Sequence, residues 1–421
     1  MEADKKKISL WVLYDFANSI AVVVFFLYFS QWLVIENGVS DFWYNSIFVI
    51  SSFLLVCTAP IGGAFADQIR VRMPFLRVLT ILFFLSLLFT SLIANFAQDW
   101  FILGAILFVL ANYFYQMSFV FYNPLLSDVA PPKSRGFISG LGQTGNWFGQ
   151  IVGLLIAIPF ITGAAHFIGL PGRVQTFLPA TIIFFVLALP MLISFKEKAE
   201  YRPRKLNLRE EYRNFFASFK DLMKHRDVKF FLLGYFFFND AILTALNNFP
   251  IYLEQVYQVS DSTKSFLLMG ILFTSAIGAF VSGWISDKLG LKRTLLIILF
   301  GWMIGAPVLV LLKNFNHFAI GCIVLGFLFG SVWSVTRAVM TYLSPPDKLN
   351  YAFSFYTLAE RFSTFVGPVA WGLITYFLVG YGPTRYRIAF LSMTVFIFIG
   401  FFIVRKIPEP HEVKHPALQN T

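Results

Sequence analysis

The chain has 421 residues, of which 57% are hydrophobic and 13% charged, and 53 are phenylalanines. Because about 25% of the residues in an average soluble domain are charged, this composition excludes an ordinary soluble protein. The net charge of +11 would suit a nucleic-acid-binding protein, but the placement of the basic residues, described below, attributes the excess to membrane topology. No nucleic-acid partner is expected.

Twelve apolar runs recur along the whole chain, each long enough for a membrane-spanning helix, which needs about 20 apolar residues. The first run is too long for a signal peptide and lacks a small-residue cleavage site, so we expect it to remain as a helix. The runs predict an all-α membrane protein with twelve transmembrane helices, at 8–34, 43–66, 75–94, 100–122, 138–160, 175–195, 229–253, 265–286, 293–312, 317–342, 352–379 and 386–404.

The basic residues are distributed unevenly over the connections between these runs. Of the 33 lysines and arginines, 26 lie on the side of the N-terminus and five on the opposite side, while Arg337 and Arg361 lie inside helices. By the positive-inside rule, this asymmetry places both termini in the cytoplasm. We therefore expect a multi-pass protein of the lipid bilayer. The cell membrane (inner or plasma) is favoured, and a vacuolar membrane is the alternative.

The longest polar stretch, residues 196–228, divides the chain into two halves of six predicted helices each. The predicted domains are thus an N-terminal bundle, 1–195, and a C-terminal bundle with a short cytoplasmic tail, 229–421. Within the cytoplasmic linker, apolar residues recur at helical spacing, which predicts an amphipathic helix along the inner membrane surface. A flexible, solvated linker is the alternative.

The two halves repeat each other. Gly63 and Asp67 after the second helix are each followed 220 residues later by Gly283 and Asp287 after the eighth. The segment PPKSRGFIS (131–139) is echoed by PPDKLNYAFS (345–354). Signals at matching positions in both halves indicate an internal duplication.

Twelve helices in two sets of six, with a G-x-x-x-D-x-x-x-x-[KR] loop after helices two and eight, resemble the major facilitator superfamily. The second loop fits that pattern closely, since Gly290, Lys292 and Arg293 also match. The first loop departs from it, with Arg70 where a glycine is usual and Gln68 where a base is usual, but it keeps Arg72.

Finer motifs are similar to one branch of the superfamily, the vacuole-effluxer (unknown major facilitator) family. They are LYDFANS in helix one, FYNPLLSDVAPPKSRGFISGLG (121–142), FNDAI (238–242) and TRAVMTYLSPPDKLNYAFSFYTLAERFSTFVGP (336–368). A fungal member of this family is associated with the release of amino acids from the vacuole. The resemblance implies a secondary active transporter that works by alternating access on a small polar metabolite, with amino acids favoured and proton coupling open. The alternatives are a lipid or drug carrier of the same fold and a polytopic membrane enzyme acting on lipids.

Polar side chains inside membrane helices are costly and therefore mark candidate functional positions. In helices one, four, seven and ten, which line the central cavity in this superfamily, such residues recur at spacings that place them on one helix face. The candidate substrate or proton pathway comprises Asp15, Asn18, Asn112, Gln116, Asn239, Asp240, Asn247, Trp333 and Arg337, together with Glu360 and Arg361 of helix eleven.

The sequence leaves different roles open for these candidate residues. For Asp15, a water-filled path and a fixed hydrogen-bond network near the cytoplasmic rim are equally consistent with the sequence. Asp240 lies nearer mid-membrane and is the leading candidate for proton coupling. Arg337 and Arg361 suit an anionic substrate group because the guanidinium binds two oxygens at once, whereas Glu360 suits structural pairing.

A GxxxGxxxG face in helix five, Gly145, Gly149 and Gly153, allows close helix contact. It is consistent with both a rocking interface and simple tight packing.

The duplicated loops each place a carboxylate near a helix C-terminus, where the helix dipole disfavours negative charge. We expect Asp67 and Asp287 to be stabilised from elsewhere in a gate latch, with a static turn as the alternative. The gating residues would be Gly63, Asp67, Arg72 and Arg135 in the first half and Gly283, Asp287, Lys292 and Arg293 in the second.

The sequence carries no phosphate-binding glycine-rich loop, metal-ligand cluster or nucleophile elbow, so no cofactor, metal or catalytic residue is expected. The five histidines are scattered, mostly in loops, which argues against an enzyme. Two cysteines in apolar runs lack any pairing logic. We expect a monomer that binds a small-molecule substrate.

Overall fold

The computed structural model describes residues 5–69, 71–129, 135–169, 172–197, 208–343, 355–356, 358–360 and 363–408. All regular structure in these ranges is helical. Eleven of the helices are long and apolar enough to cross a membrane, and Val366–Phe377 is a shorter apolar helix. The predicted all-α membrane fold is therefore confirmed.

The first six membrane helices follow the predicted runs to within a few residues, because each run is apolar over the length that a bilayer requires. The first continues through a π-helical turn, Trp32–Glu36. Their bounds are α1 Lys5–Gln31, α2 Asp41–Ile69, α3 Met73–Phe96, α4 Phe101–Tyr122, α5 Arg135–Ile161 and α6 Phe177–Ser194.

Six further membrane helices follow the linker helix Leu208–Leu222. The seventh predicted run covers two consecutive helices, since a separate helix, Phe249–Tyr257, follows α7. The bounds are α7 Arg226–Asn247, α8 Asp261–Leu289, α9 Leu291–Leu311, α10 Phe315–Leu343, α11 Val366–Phe377 and α12 Thr384–Val404.

The eleventh predicted run, 352–379, is not one continuous helix. Residues 358–360 are helical, residues 363–365 form turns, and the helix restarts at Val366. Pro368 lies in the first turn of α11, where the missing N–H of proline costs nothing. Gly367–Pro368 was thus a readable signal for a helix start within the apolar run.

Contacts between Cα atoms divide the chain into two compact units. Unit 1 comprises residues 1–213 and 258–266, and unit 2 comprises 214–257 and 267–421. The division at residue 213 falls within the linker helix. The segment 258–266, which holds the first turns of α8, belongs to unit 1, whereas the rest of α8 belongs to unit 2.

The glycine face of α5 packs against α1 within unit 1. A Cβ added at Gly153 would stand 2.7 Å from the backbone oxygen of Ile20, and one at Gly149 would collide with the backbone oxygen of Phe16. The two helices therefore approach at backbone distance, as small residues allow. This geometry supports the tight-packing interpretation of the GxxxGxxxG face.

Candidate functional site

Asp15 lies in a hydrogen-bond network between α1 and α5. Its side chain is 7% exposed, and its Oδ1 accepts a 3.0 Å hydrogen bond from Nδ2 of Asn146. The Oδ1 of Asn146 in turn accepts a bond of 2.8 Å from Gln150. On the same helix, the Nδ2 of Asn18 donates to the backbone oxygen of Tyr14 at 2.9 Å. The structure thus shows Asp15 held in a polar network inside unit 1.

The polar residues of α4 differ in their burial and their contacts. Asn112 donates to the hydroxyl of Ser51 on α2 at 2.6 Å. Gln116, one turn further on, is buried, and Asn123 is exposed beyond the end of the helix. Asn112 therefore links two helices of unit 1.

Unit 2 contains a cluster of aromatic, hydroxyl and charged side chains, which we call the inner polar cluster. It is formed by α7, α10 and the helical residues before the interruption, and comprises Tyr235, Asn239, Thr336, Arg337, Tyr356 and Glu360. The rings of Tyr235 and Tyr356 stack with centroids 4.5 Å apart. The Tyr356 hydroxyl lies 2.9 Å from that of Thr336.

Opposite charges act on this cluster. Glu360 and Arg337 both lie close enough to the hydroxyl groups of Tyr235 and Tyr356 to interact with them electrostatically. Arg337 is exposed and Glu360 is half-buried. The Tyr235 hydroxyl is buried without a hydrogen bond of standard geometry to any described residue. The cluster therefore combines a cation, an anion and a buried hydroxyl.

Of the remaining candidates on these helices, two are half-buried and one lies outside the described residues. Trp333 is half-buried and lies edge-on to Phe329, with centroids 4.7 Å apart. Asn247 is half-buried at the end of α7. Arg361 lies outside the described residues.

Asn239 and Asp240 of α7 bind the chain on the two sides of the interruption in the eleventh helix. Nδ2 of Asn239 donates to the hydroxyl of Ser363 at 2.5 Å and lies 3.5 Å from the backbone oxygen of Glu360. The neighbouring Asp240 is fully buried, and its Oδ2 accepts a 2.6 Å hydrogen bond from the N–H of Gly367 in the first turn of α11. Asp240 thus caps α11, because the free N–H groups of a helix start favour an acceptor with negative charge.

The other carboxylate oxygen of Asp240, Oδ1, is buried near Thr244 and Gly367. Asp240 Oδ1 and Thr244 Oγ1 are both buried without a hydrogen-bond partner of standard geometry among the described residues. A Cβ on Gly367 would stand 2.8 Å from Asp240 Oδ1 and would collide with Thr244 Oγ1. The absence of a side chain at Gly367 therefore makes room for both groups. Helical spacing places Asp240, Thr244 and Asn247 on one face of α7, but it does not indicate the partner of that face on α11.

The structure leaves the predicted gate latch untested. The side chains of Asp67, Arg135 and Asp287 lie outside the described residues, and Gly63 is part of α2. Gly283 lies within α8, where a Cβ would meet no atom within 4 Å. Lys292 and Arg293 lie in the first turn of α9, after Gly290, whose φ of +94° favours glycine.

Glu197 stabilises the start of α3, a structural role that the sequence did not indicate. Its carboxylate accepts hydrogen bonds from the backbone N–H groups of Arg72, at 2.7 and 2.9 Å, and of Met73, at 2.9 Å. It therefore caps the start of α3 from the segment that follows α6. No local pattern relates residues so far apart in the chain.

The helices define a multi-pass membrane protein, and charged or hydrogen-bonding side chains in the interior of such helices are typical of proteins that move ions or substrates across a membrane. A sequence profile described as Major Facilitator Superfamily matches residues 12–273 and residues 231–420. The chain belongs to the major facilitator superfamily, and the resemblance predicted from its motifs is confirmed. It is therefore an integral membrane protein of a family of secondary transporters.

Two relatives show how the similarity is distributed. An uncharacterized MFS-type transporter of Bacillus subtilis, YxiO, is 23% identical over 438 residues that cover 100% of this chain and 99% of the relative. Autophagy-related protein 22 of Pichia angusta is 28% identical over 181 residues, which cover 39% of this chain and 31% of the relative. The second similarity agrees with the motifs of the vacuole-effluxer branch.

The fold is also that of a solved structure. A bacterial homolog of the human lysosomal transporter Spinster superposes with a TM-score of 0.74 at 15% sequence identity, covering 96% of this chain and 98% of that chain. At this identity the likeness concerns the fold.

Proposed function

We propose that this protein is a secondary active transporter that moves a small polar metabolite, with amino acids favoured, by alternating access. The inner polar cluster of unit 2 is the observation that carries the proposal. Charged groups within a membrane helix cost several kcal/mol, with estimates from about 2.5 upward, so they are retained where they bind something. The motifs that resemble the vacuole-effluxer family support a polar metabolite.

The charges of the cluster suit a zwitterion. The guanidinium of Arg337 would bind the carboxylate of an amino acid through two parallel hydrogen bonds. The carboxylate of Glu360 would pair with the substrate ammonium, and the buried hydroxyl of Tyr235 offers a further hydrogen bond. A substrate with both charges would pair with both residues at once, whereas a neutral sugar would offer an opposite charge to neither.

A lipid or drug carrier of the same fold is the alternative function. Unit 2 contains an apolar cavity of about 60 Å³, lined by side chains that include Ile242, Trp302, Cys322 and Phe390. Its apolar lining suits a hydrophobic ligand, and this cavity is the observation that favours the alternative.

Proton coupling, if present, is proposed to occur at Asp240. The ionised carboxylate can only accept from the Thr244 hydroxyl, whereas a proton on Oδ1 would let Asp240 donate to Thr244 Oγ1, so gain of a proton would reverse the direction of that hydrogen bond. The Gly367 N–H would remain bonded to Oδ2. Because Gly367 belongs to α11, binding and release of the proton would act on the helix that follows Tyr356 and Glu360 in the chain.

We further propose that both termini are cytoplasmic and that the cell membrane holds the protein, on the evidence of the basic residues. The similarity to autophagy-related protein 22 keeps a vacuolar membrane as the alternative.

The substrate proposal is tested with purified protein in liposomes and a mixed pool of radiolabelled amino acids. Arg337→Gln and Glu360→Gln should each reduce uptake at least about tenfold, since loss of a charged hydrogen-bond partner costs about 1.5–3 kcal/mol. Lys313→Gln is the matched control, because Lys313 is an exposed cation of unit 2 outside the cluster. Uptake by the two cluster variants equal to that of the control would refute the assignment. Uptake of nucleosides or sugars in place of amino acids would correct the substrate class.

A further inference from the structure

Two glycines bring α7 and α12 into direct contact within unit 2. A Cβ added at Gly234 would stand 2.7 Å from a side-chain carbon of Val404 and 3.2 Å from the backbone oxygen of Gly400. A Cβ added at Gly400 would stand 2.9 Å from the backbone oxygen of Gly234. The two backbones therefore pack without side chains between them, as small residues allow, and the start of α7 lies beside the end of α12.

Two cations from these helix ends converge on one aromatic ring. Arg226, the first residue of α7, and Lys406, in the turn that follows α12, each place their charge 5.7 Å from the centroid of the Phe230 ring. The two charges are thus no farther apart than twice that distance. Within the part of the chain that the structure describes, neither cation forms an ion pair with an acid. Like charges this close favour an anion that contacts both of them.

The neighbouring charges leave this end of unit 2 positive. Lys229, one turn along α7, and Arg405, the first residue after α12, are exposed cations. Two described acids lie nearby in the chain. Asp221 pairs with Lys224 at 3.2 Å, and Asp227 is half-buried in the first turn of α7, where the helix dipole favours a negative charge.

Exposed apolar side chains continue from the two cations along both helices. On α12, Val395, Phe398 and Phe402 recur at a spacing that places them on one face, and all three are exposed. The rings of Phe398 and Phe402 lie 4.6 Å apart, and Lys406 follows one turn later. On α7, Leu233 lies one turn after Phe230 and is also exposed. The cations thus stand at the end of an apolar surface that faces outward from the helices.

We infer that these helix ends form a binding site for an anionic phospholipid, which we call the α7–α12 lipid site: Arg226, Phe230, Leu233, Phe398, Phe402 and Lys406. The lipid phosphate would bind the guanidinium of Arg226 through parallel hydrogen bonds and the ammonium of Lys406 as a point charge. The acyl chains would lie along the exposed phenylalanines of α12. A soluble phosphate could use the cations alone, whereas the apolar surface needs a ligand with a hydrocarbon chain.

The site goes beyond the proposed transport function, because it shares no residue with the inner polar cluster. Clusters of Lys and Arg at the end of a membrane helix attract anionic lipids, and each such residue contributes a factor of about five in affinity. A lipid with a net negative charge should therefore bind about 25-fold more tightly than a zwitterionic lipid with the same chains.

The test measures lipid binding to the purified full chain by native mass spectrometry. The probes are phosphatidylglycerol and phosphatidylcholine with identical acyl chains, and glycerol 1-phosphate as a competitor without chains. We expect phosphatidylglycerol to bind more tightly than phosphatidylcholine, and we expect glycerol 1-phosphate at the same concentration not to displace it.

Four variants assign the binding to the site. Arg226→Gln and Lys406→Gln should each lower the affinity for phosphatidylglycerol about fivefold and leave that for phosphatidylcholine unchanged; either serves if the other does not elute as a monodisperse species. Phe402→Ala should lower the affinity for both lipids, because both use the apolar surface. Lys220→Gln is the matched control, since it removes an exposed cation of unit 2 from the linker helix, and it should have no effect.

Equal binding of the two lipids to the wild type would overturn the inference. So would unchanged binding of phosphatidylglycerol in both glutamine variants, or an equal loss with Lys220→Gln, which would attribute the preference to general charge. Displacement of the lipid by glycerol 1-phosphate would identify a site for soluble phosphates and would overturn the lipid assignment. Failure of the amino-acid assay leaves each of these results intact, so the two proposals are tested separately.

Discussion

Replacement of Asp240 by asparagine and by leucine separates its capping role from proton coupling. The Asp240→Asn variant keeps an oxygen for the Gly367 N–H, and its amide N–H₂ can donate to Thr244 Oγ1. Its free energy of unfolding should lie within about 1 kcal/mol of the wild-type value, since the net contribution of one hydrogen bond is of that size. The Asp240→Leu variant leaves the buried N–H of Gly367 without an acceptor, which costs about 1–3 kcal/mol. Thermal unfolding in detergent measures the difference.

Transport in liposomes then tests the proton. Asp240→Asn cannot gain or lose a proton, so accumulation of amino acids driven by a pH gradient should be abolished, while exchange of internal for external substrate continues. Asp227→Asn, in the first turn of the same helix, is the matched control and should transport as the wild type does.

Three results would refute this reasoning. Equal unfolding temperatures for the asparagine and leucine variants would show that Asp240 does not stabilise α11. Wild-type transport that ignores the pH gradient would exclude coupling altogether. Accumulation by Asp240→Asn at the wild-type level would remove this residue from the mechanism and leave Asp15 or Glu360 as candidates.

Further predictions concern packing, the gating loops and topology. Gly153→Val should destabilise unit 1 by about 1–3 kcal/mol or more, because its side chain would overlap the α1 backbone, whereas Gly380→Val, where a Cβ meets no atom within 4 Å, should be tolerated in the same unfolding assay. Asp67→Asn and Asp287→Asn should reduce transport in liposomes at normal expression, with Asp287 the more severe; normal rates in both would make the loops merely structural. Reporter tags in the 196–228 loop and at the C-terminus should read cytoplasmic and a tag at 37–41 external, and the reverse reading of the last would disprove the orientation.

The positions of the membrane helices were predictable because they depend on local composition. A run of about 20 apolar residues has no other way to satisfy its backbone in a bilayer than to form a helix. The run predicted at 293–312 is thus the helix Leu291–Leu311. The superfamily was likewise readable from the duplicated glycine and aspartate loop and from the number of runs.

The partners of the polar residues were decided by the tertiary structure. Helical spacing shows which residues share a face, but the helix opposite that face is set by the packing of the whole bundle. Asp15 and Asn146 are 131 residues apart in the chain, and Gln31 and Lys264 are 233 apart. Asp240 caps α11 only because the eleventh helix restarts beside it. The sequence determined which segments enter the membrane, whereas the choice among distant partners for each buried charge required the folded bundle.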